Sequence, residues 1–293
     1  MRSFLSSKTF GVGIGIAAAT TAMTYALAGE RTPKAALCPT EFRPLKLVNV
    51  STESHDTKRF RFAFPEAEMV SGGDVASCVV VKYINPQSGK PVVRPYTPVS
   101  AIDQEGYLEL VVKRYDGSKM ASHLFEMKPG DTIDVKGLLP KIQYVPNKWK
   151  HIGMIAGGTG ITPMYQVLRR IAENPADQTK ASVIFAVHSE EDILLTKELT
   201  ALSKNNPNIY IYFTLSEPKK GWMGGVGRVN KDMVKSILPA PGTKDAISFV
   251  CGPPGMMEAV SGDKDFSTQP AKQGEVSGML KEMGYTSAEV FKF

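Results

Sequence analysis

Residues Met154 to Met164 read MIAGGTGITPM, a glycine-rich stretch between an apolar run and a helix-like segment. The apolar residues predict a buried strand, and Thr162 with Pro163 predicts the first turn of a helix, where the missing N–H of proline costs no hydrogen bond. The glycines let the backbone turn tightly and approach a ligand closely. The start of a helix also offers unpaired N–H groups to a phosphate. The stretch therefore predicts either a dinucleotide cradle or a purely structural strand-to-helix turn.

The chain that follows His151 alternates between strand-like and helix-like segments. This alternation predicts a parallel sheet with helices on both faces, which binds ligands outside the carboxyl ends of its strands. The predicted strands are HIGMIAGG, SVIFAVHS, NIYIYFTLSE and AISFVCG, and the predicted helices are PMYQVLRRIAEN, ILLTKELTALSKN and KDMVKSIL.

The part of the chain before His151 has a different pattern of apolar and polar residues. RFRFAF (59–64) and YLELVVKRY (107–115) alternate with period two, and turn clusters separate such runs, which is typical of a small antiparallel barrel or sandwich. Only SKMASHLFEM (118–127) is helix-like. We place a polar linker over 31–40, the antiparallel barrel over 41–148 and the parallel-sheet domain over 149–293.

Composition excludes several classes of protein. Three scattered cysteines are too few for a four-thiolate iron–sulfur cluster, and four histidines without ligand spacing predict no metal site. A net charge of +6 without a basic run interleaved with aromatics predicts no nucleic-acid partner.

The amino-terminal segment is poor in charge. Thr9 to Gly29 contains no charged residue, a length of about twenty residues that can cross a bilayer core as a helix. A membrane anchor over 1–30 is the favoured interpretation. A cleaved secretory signal, suggested by the small residues Ala26-Leu27-Ala28, and an organelle-targeting presequence remain alternatives. The absence of acids and the Ser/Thr content favour a mitochondrial address followed by an anchor.

Three further motifs carry candidate binding chemistry. FVCGPPGMM (249–257) ends a strand in the same predicted sheet as the opening stretch, so both turns can line one cleft. RPYTPVS (94–100) offers a cation for a pyrophosphate, an aromatic ring and hydroxyl groups. DGSKMAS (116–122) is a second glycine-led turn that offers N–H groups to a phosphate.

In this order, RPYTPVS, GGTGITP and CGPP resemble the ferredoxin–NADP reductase superfamily, and in detail the NADH–cytochrome b5 reductases. The tail from SGDKDF to the final VFKF is similar to the fungal mitochondrial, membrane-anchored members. The resemblance covers about residues 40–293. It implies an FAD-binding β-barrel, a Rossmann-like NADH-binding domain and electron transfer to cytochrome b5 or a similar heme protein. It also implies a single-pass anchor in the mitochondrial outer membrane, with a processed soluble form in the intermembrane space as the alternative.

The resemblance also implies roles for individual residues. The expected flavin-binding residues are Arg94, Tyr96, Thr97, Ser100, Gly117, Lys119, Met120, Ala121 and Phe293. Many members carry a hydroxyl residue where this chain has Ala121, which Ser122 or a backbone N–H could replace. The expected NADH-side residues are Lys113, Gly157, Gly158, Thr159, Gly160, Ile161, Pro163, Gly252, Pro253, Pro254 and Met257.

Thr162 and Cys251 are the residues expected nearest to the site of hydride transfer. For Cys251 and Lys113 a role without ligand binding is the alternative. Thr162 is expected to face the flavin ring, and Cys251 is expected beside the nicotinamide. A small buried apolar residue is the alternative role for Cys251. A solvated lysine on an exposed strand face is the alternative for Lys113.

The choice of nucleotide follows from charge. Glu190, Glu191 and Asp192 come directly after the strand SVIFAVHS, where the adenine ribose is expected in sheets of this type. Carboxylates there would repel a 2′-phosphate, which favours NADH over NADPH. Acids that stabilise a helix amino terminus are the alternative.

The sequence thus predicts a flavoprotein oxidoreductase in which NADH reduces FAD and single electrons pass to a heme protein. Another reductase of the superfamily, serving a different heme or a quinone, is one rival. A membrane-tethered nucleotide-binding module without turnover is the other.

Overall fold

Two six-stranded sheets, one antiparallel and one parallel, organise the computed structural model, which describes residues 33–267 and 271–293. Residues Pro33–Phe293 form one compact unit. Within the described ranges, no helix is both long and apolar enough to cross a membrane. The anchor predicted over 1–30 lies outside the described residues.

The antiparallel sheet confirms the predicted barrel-like first half. Its strand order is β4-β3-β6-β1-β2-β5, and alternate residues such as Phe60 and Phe62 in β2 are fully buried. One helix, α1 (Lys119–Glu126), contacts β4. The strands are β1 (Arg43–Ser54), β2 (Thr57–Ala63), β3 (Ser77–Ile84), β4 (Pro91–Tyr96), β5 (Tyr107–Lys113) and β6 (Thr132–Pro140).

The parallel sheet confirms the predicted second half. Its order is β10-β9-β8-β7-β11-β12, and every pairing in it is parallel. Its strands are β7 (His151–Gly157), β8 (Lys180–Val187), β9 (Ile209–Leu215), β10 (Gly225–Val226), β11 (Ala246–Cys251) and β12 (Val290–Lys292). Its helices are α2 (Ile161–Glu173), α3 (Thr196–Asn205), α4 (Lys231–Ile237), α5 (Pro254–Val260) and α6 (Gly278–Glu282). The predicted domain boundary between 148 and 149 falls in the connection between β6 and β7.

Two of the details that differ from the sequence prediction have a clear physical reason. The helix predicted from Ile193 begins at Thr196, because Leu195 adopts a left-handed conformation (φ 55°) and both Leu194 and Leu195 are buried in the core. The carboxyl-terminal strand β12 was not predicted. It has only three residues, and its pairing of Val290 with Ser248 is a long-range contact that local pattern does not reveal.

Candidate functional site

The two glycine-rich motifs meet at the carboxyl ends of neighbouring strands. Cys251, the last residue of β11, pairs with Ala156 near the end of β7. A Cβ atom on Gly160 would lie 2.1 Å from the Cys251 carbonyl oxygen, and one on Gly157 would lie 2.9 Å from the Cδ of Pro253. Only glycine permits this approach, so the backbones of the two motifs form one continuous rim.

The rim leads directly into helix α2. Gly158, in a left-handed conformation (φ 51°), opens a short 3₁₀ turn, and α2 starts at Ile161, so Pro163 lies in its first turn as predicted. Thr162 is 6% exposed, and its hydroxyl donates to the Thr159 carbonyl at 3.0 Å. Its proton is therefore engaged, and its oxygen remains an acceptor toward a ligand.

Several predicted site residues can contribute only backbone groups. Their side chains are buried in the cores of the two halves, so their contact with a ligand is limited to N–H and C=O. These residues are Met120, Ala121, Ile161 and Met257.

Strand β4 presents the predicted flavin residues along one edge of the antiparallel sheet. Arg94 is exposed, and its Nη1 donates to the Val93 carbonyl at 2.8 Å; no acidic partner lies near it among the described residues. Burial raises the pKa of Tyr96 to about 12 against the opposing charge of Arg94, so its phenol is neutral at physiological pH. Thr97 is partly exposed.

Ser100 differs from its neighbours in the motif. It is 6% exposed, and its Oγ accepts from the Glu109 backbone N–H at 3.0 Å. The side chain therefore hydrogen-bonds the segment that follows β4 to strand β5, which is a structural role.

The turn before α1 has the features of an anion cradle. Gly117 is in the left-handed region (φ 75°), with open space where a side chain would be. The Ser118 hydroxyl makes no capping bond, which leaves the first N–H groups of α1, from Lys119 onward, available to a ligand. A cleft of about 320 Å³ adjoins this turn, and a stacked pair of Tyr83 and His123 rings (3.9 Å) lies along it. The cradle fits the pyrophosphate of a flavin dinucleotide.

Lys113 is held by ion pairs rather than solvated. Its Nζ lies 2.7 Å from Asp56 Oδ2 and 3.2 Å from Asp192 Oδ1. Burial alone would lower the pKa of Lys113, but the bonds to Asp56 and Asp192 outweigh it and raise the pKa. With His55, these two carboxylates form a group of metal-ligand size among the described residues, but the Lys113 ammonium already lies between them.

The three acids after β8 have separate roles. Asp192 is buried and accepts from the Ser189 N–H (3.1 Å) and hydroxyl (2.8 Å), which is the capping role given above as the alternative. Glu191 pairs with Lys219 at 2.6 Å. Glu190 is exposed and, among the described residues, has no ion pair.

Tyr115 is a candidate site residue that the sequence analysis missed. It is 51% exposed, and its hydroxyl lies 4.0 Å from the position of a Cβ on Gly158. An aromatic residue two positions after the end of β5 and just before the DGSK turn was the available sequence signal.

The carboxyl terminus is fixed beside the same rim. The Phe293 N–H donates to the Val250 carbonyl at 3.0 Å, and its ring packs edge-on against Phe249 (5.5 Å) and Phe291 (5.1 Å). Burial raises the pKa of the neighbouring Cys251 thiol to about 11. Cys251 is thus an uncharged side chain at neutral pH, in line with its alternative role.

Comparisons with known proteins agree with this geometry. An oxidoreductase FAD-binding domain family matches residues 44–144, and an oxidoreductase NAD-binding domain family matches residues 154–262. NADH-cytochrome b5 reductase 2 of Pyricularia oryzae is 46% identical, over 100% of this chain and 86% of its own length. The protein of the same name from Coccidioides immitis is 50% identical, over 85% of this chain and 76% of its own.

A solved structure extends the similarity to three dimensions. The cytochrome b5 reductase domain of Ulva prolifera nitrate reductase is 31% identical with a TM-score of 0.76, covering 88% of this chain and 100% of that domain. The chain binds FAD and NAD through its two halves, and it belongs to the NADH–cytochrome b5 reductase family.

Proposed function

We propose that this protein takes hydride from NADH on a bound FAD and passes single electrons to cytochrome b5. In the full reaction, NADH and two ferricytochrome b5 give NAD⁺, H⁺ and two ferrocytochrome b5. The observation that carries the proposal is the contact between the Gly157–Gly160 turn and the Cys251–Pro253 turn. It forms a nucleotide rim at the end of the parallel sheet, in a chain whose other half carries the flavin cradle. The names of the relatives support cytochrome b5 as the acceptor.

The chain's own residues bind and orient, and none is needed as a general acid or base. Bound FAD supplies the chemistry that accepts a hydride and releases electrons one at a time. Arg94 would neutralise the charge of its pyrophosphate, and the N–H groups at the start of α1 would donate to the same group. In this proposal the hydroxyl of Thr162 and the ring of Phe293 would lie near the flavin ring.

NADH is the preferred nucleotide in this proposal. Glu190 is the carboxylate after β8 that makes no ion pair with any described residue, so it is the group that would repel a 2′-phosphate and accept from a ribose hydroxyl. Glu191 is neutralised by Lys219, and Asp192 is committed to Ser189 and Lys113.

The experiment that tests the function uses the purified full-length protein. We expect the protein to be yellow, to be bleached by NADH much faster than by NADPH, and to reduce ferricytochrome b5 in the steady state. A quinone and a second heme protein serve as competing acceptors. Colourless protein would support the nucleotide-binding module, and a higher kcat/KM with another acceptor would support a different reductase of the family.

We also propose that residues 1–30 anchor the protein in the mitochondrial outer membrane with a single span. The uncharged stretch from Thr9 to Gly29 supports an anchor, and the absence of acids there supports a mitochondrial address. Deletion of 1–30 should release a reducible flavoprotein from the membrane fraction. A deleted protein that stays in the membrane fraction or lacks flavin would contradict the anchor, and a processed amino terminus in the intermembrane space would support the alternative.

A further inference from the structure

One buried amide joins the two halves of the catalytic unit. Gln166 in α2 is 5% exposed, its Nε2 donates to the Pro98 carbonyl at 3.1 Å, and its Oε1 accepts from the Ser77 N–H at 3.1 Å. Pro98 and Ser77 both belong to the antiparallel half, whereas α2 packs on the parallel sheet. The side chain therefore bridges the halves through two backbone groups.

The bridge lies close in sequence to candidate binding residues in both halves. Gln166 lies one helical turn after Thr162, on the same face of α2. Pro98 directly follows Thr97 in the RPYTPVS motif. The amide thus connects the helix that begins at the nucleotide rim with the strand that carries the flavin residues.

Other contacts also join the two halves. Among the described residues they include two ion pairs, which differ from the amide because they carry charge. Arg59 pairs with Glu198 at 2.5 Å, with side chains 21% and 30% exposed. Lys113 pairs with Asp192 at 3.2 Å. The Arg59–Glu198 pair is partly exposed, and salt and solvent weaken such pairs. The Lys113–Asp192 pair is more buried, with side chains 19% and 8% exposed. The Gln166 amide is planar, uncharged and almost fully buried, so it fixes a direction as well as a distance.

We propose that Gln166 is a positioning residue for hydride transfer. It holds the rim formed by the Gly157–Gly160 and Cys251–Pro253 turns at a fixed distance and orientation from strand β4. The inference rests on the proposed function. A misplacement of about 1 Å between reacting groups can slow a reaction about 100-fold. Both bonds of Gln166 reach backbone groups of the protein, so we expect its loss to lower the rate of hydride transfer more than nucleotide affinity or flavin retention.

The test compares Gln166→Met and Gln166→Glu with Arg170→Gln as the matched control. Methionine has similar length and removes both hydrogen bonds. Glutamate keeps an acceptor for the Ser77 N–H but replaces the donor to Pro98 by an oxygen. Arg170 is an exposed residue of the same helix and makes no ion pair among the described residues. All three variants are studied as holoprotein, with rates normalised to bound flavin.

Two measurements report on the bridge. Stopped-flow bleaching of the flavin at saturating NADH gives the hydride-transfer rate, and its dependence on NADH concentration gives the affinity. Hydrogen–deuterium exchange at the Ser77 amide reports the bridge without any turnover. We expect both Gln166 variants to lose about tenfold or more in rate, with NADH affinity and flavin content within about threefold of wild type. Ser77 exchange should rise in Gln166→Met, stay slow in Gln166→Glu, and be unchanged in Arg170→Gln.

Two results would overturn the inference. One is a wild-type bleaching rate in both Gln166 variants, and the other is a loss of activity that only follows the loss of bound flavin. A wild-type protein that NADH does not bleach would defeat the proposed function instead. If Gln166→Met gives no folded flavoprotein, the flavin bleaching rate of Gln166→Glu alone tests the inference, and a wild-type rate would overturn it.

Discussion

The backbone of Gly160 lies against the carbonyl of Cys251 so closely that a Cβ atom on Gly160 would be 2.1 Å from that oxygen. The two residues belong to separate motifs, at the ends of strands β7 and β11. Their contact is backbone to backbone, so no rotation of a side chain can relieve an added atom. The nucleotide rim exists because position 160 has no side chain.

Gly160→Ala should therefore push the two turns apart. We expect a loss of about 1–3 kcal/mol or more in the free energy of unfolding, together with weaker NADH binding, because the added atom meets fixed backbone. Denaturant unfolding and nucleotide titration measure the two effects. Gly255→Ala is the control, since a Cβ there has nothing within 4 Å. A Gly160→Ala protein with wild-type stability and affinity would show that the rim is not built on this contact.

Arg94→Glu should weaken FAD binding. The guanidinium is exposed and has no acidic partner among the described residues, so it is available to a pyrophosphate. A charge-assisted contact of about 1.5–3 kcal/mol corresponds to roughly 10- to 150-fold in the Kd of FAD. Lys90→Glu makes the same charge change at an exposed residue just before β4. Full flavin occupancy in purified Arg94→Glu, with equal Kd values for both variants, would remove Arg94 from the flavin site.

Glu190→Arg should narrow the preference for NADH over NADPH. The substitution replaces a repulsive carboxylate by a group that can pair with a 2′-phosphate. We expect the ratio of the two kcat/KM values to fall by about tenfold, which is about 1.4 kcal/mol. Glu105→Arg, at an exposed turn of the other half, is the control. An unchanged ratio would mean that Glu190 does not face the ribose.

Asp192 should make stability depend on pH in the acid range. Burial alone would raise its pKa, but the bonds from Ser189 and Lys113 outweigh burial and hold the pKa below the ordinary aspartate value. A lowered folded-state pKa stabilises the protein above the unfolded-state pKa, and this stability is lost as pH falls through the folded-state value. Stability should therefore decline below about pH 4.

The matching variant is Asp192→Asn. It should lose about 1.5–3 kcal/mol at pH 7, because the ion pair with Lys113 is lost and the Ser189 groups no longer donate to a charged acceptor. It should also decline less in acid than wild type. Unfolding titrations at pH 7 and at descending acid pH measure both effects. Equal acid sensitivity of the two proteins would contradict the role of the Lys113–Asp192 pair.

The local sequence pattern was sufficient to predict most of the fold and the two glycine-rich turns. Period-two alternation in β2 reflects residues buried on one face, and Pro163 in a first helical turn follows from its missing N–H. The meeting of Gly160 with Cys251 could be inferred because both follow strands of one parallel sheet. The strand pattern and the position of Pro163 depend on residues that are close in sequence. The meeting of the two turns depends only on the rule that parallel strands end at the same edge of a sheet.

The remaining features depend on contacts that the sequence does not show. The pairing of Asp192 with Lys113 needs the two halves brought together, and so does the bridge made by Gln166. Ser100 has a hydroxyl suited to a ligand, yet it binds Glu109 because β5 lies beside it. Tyr115 follows a strand end, but only the packing of β5 against the Gly158 turn reveals its position.

The most direct test of the central claim is a double-mixing stopped-flow measurement on the purified flavoprotein. NADH is mixed with the protein without oxygen, and the reduced protein is then mixed with ferricytochrome b5. The account predicts complete bleaching of the flavin by one equivalent of NADH, followed by two ferrocytochrome b5 formed as the flavin colour returns. A flavin that NADH leaves oxidised, or a reduced flavin that ferricytochrome b5 does not reoxidise, would contradict it.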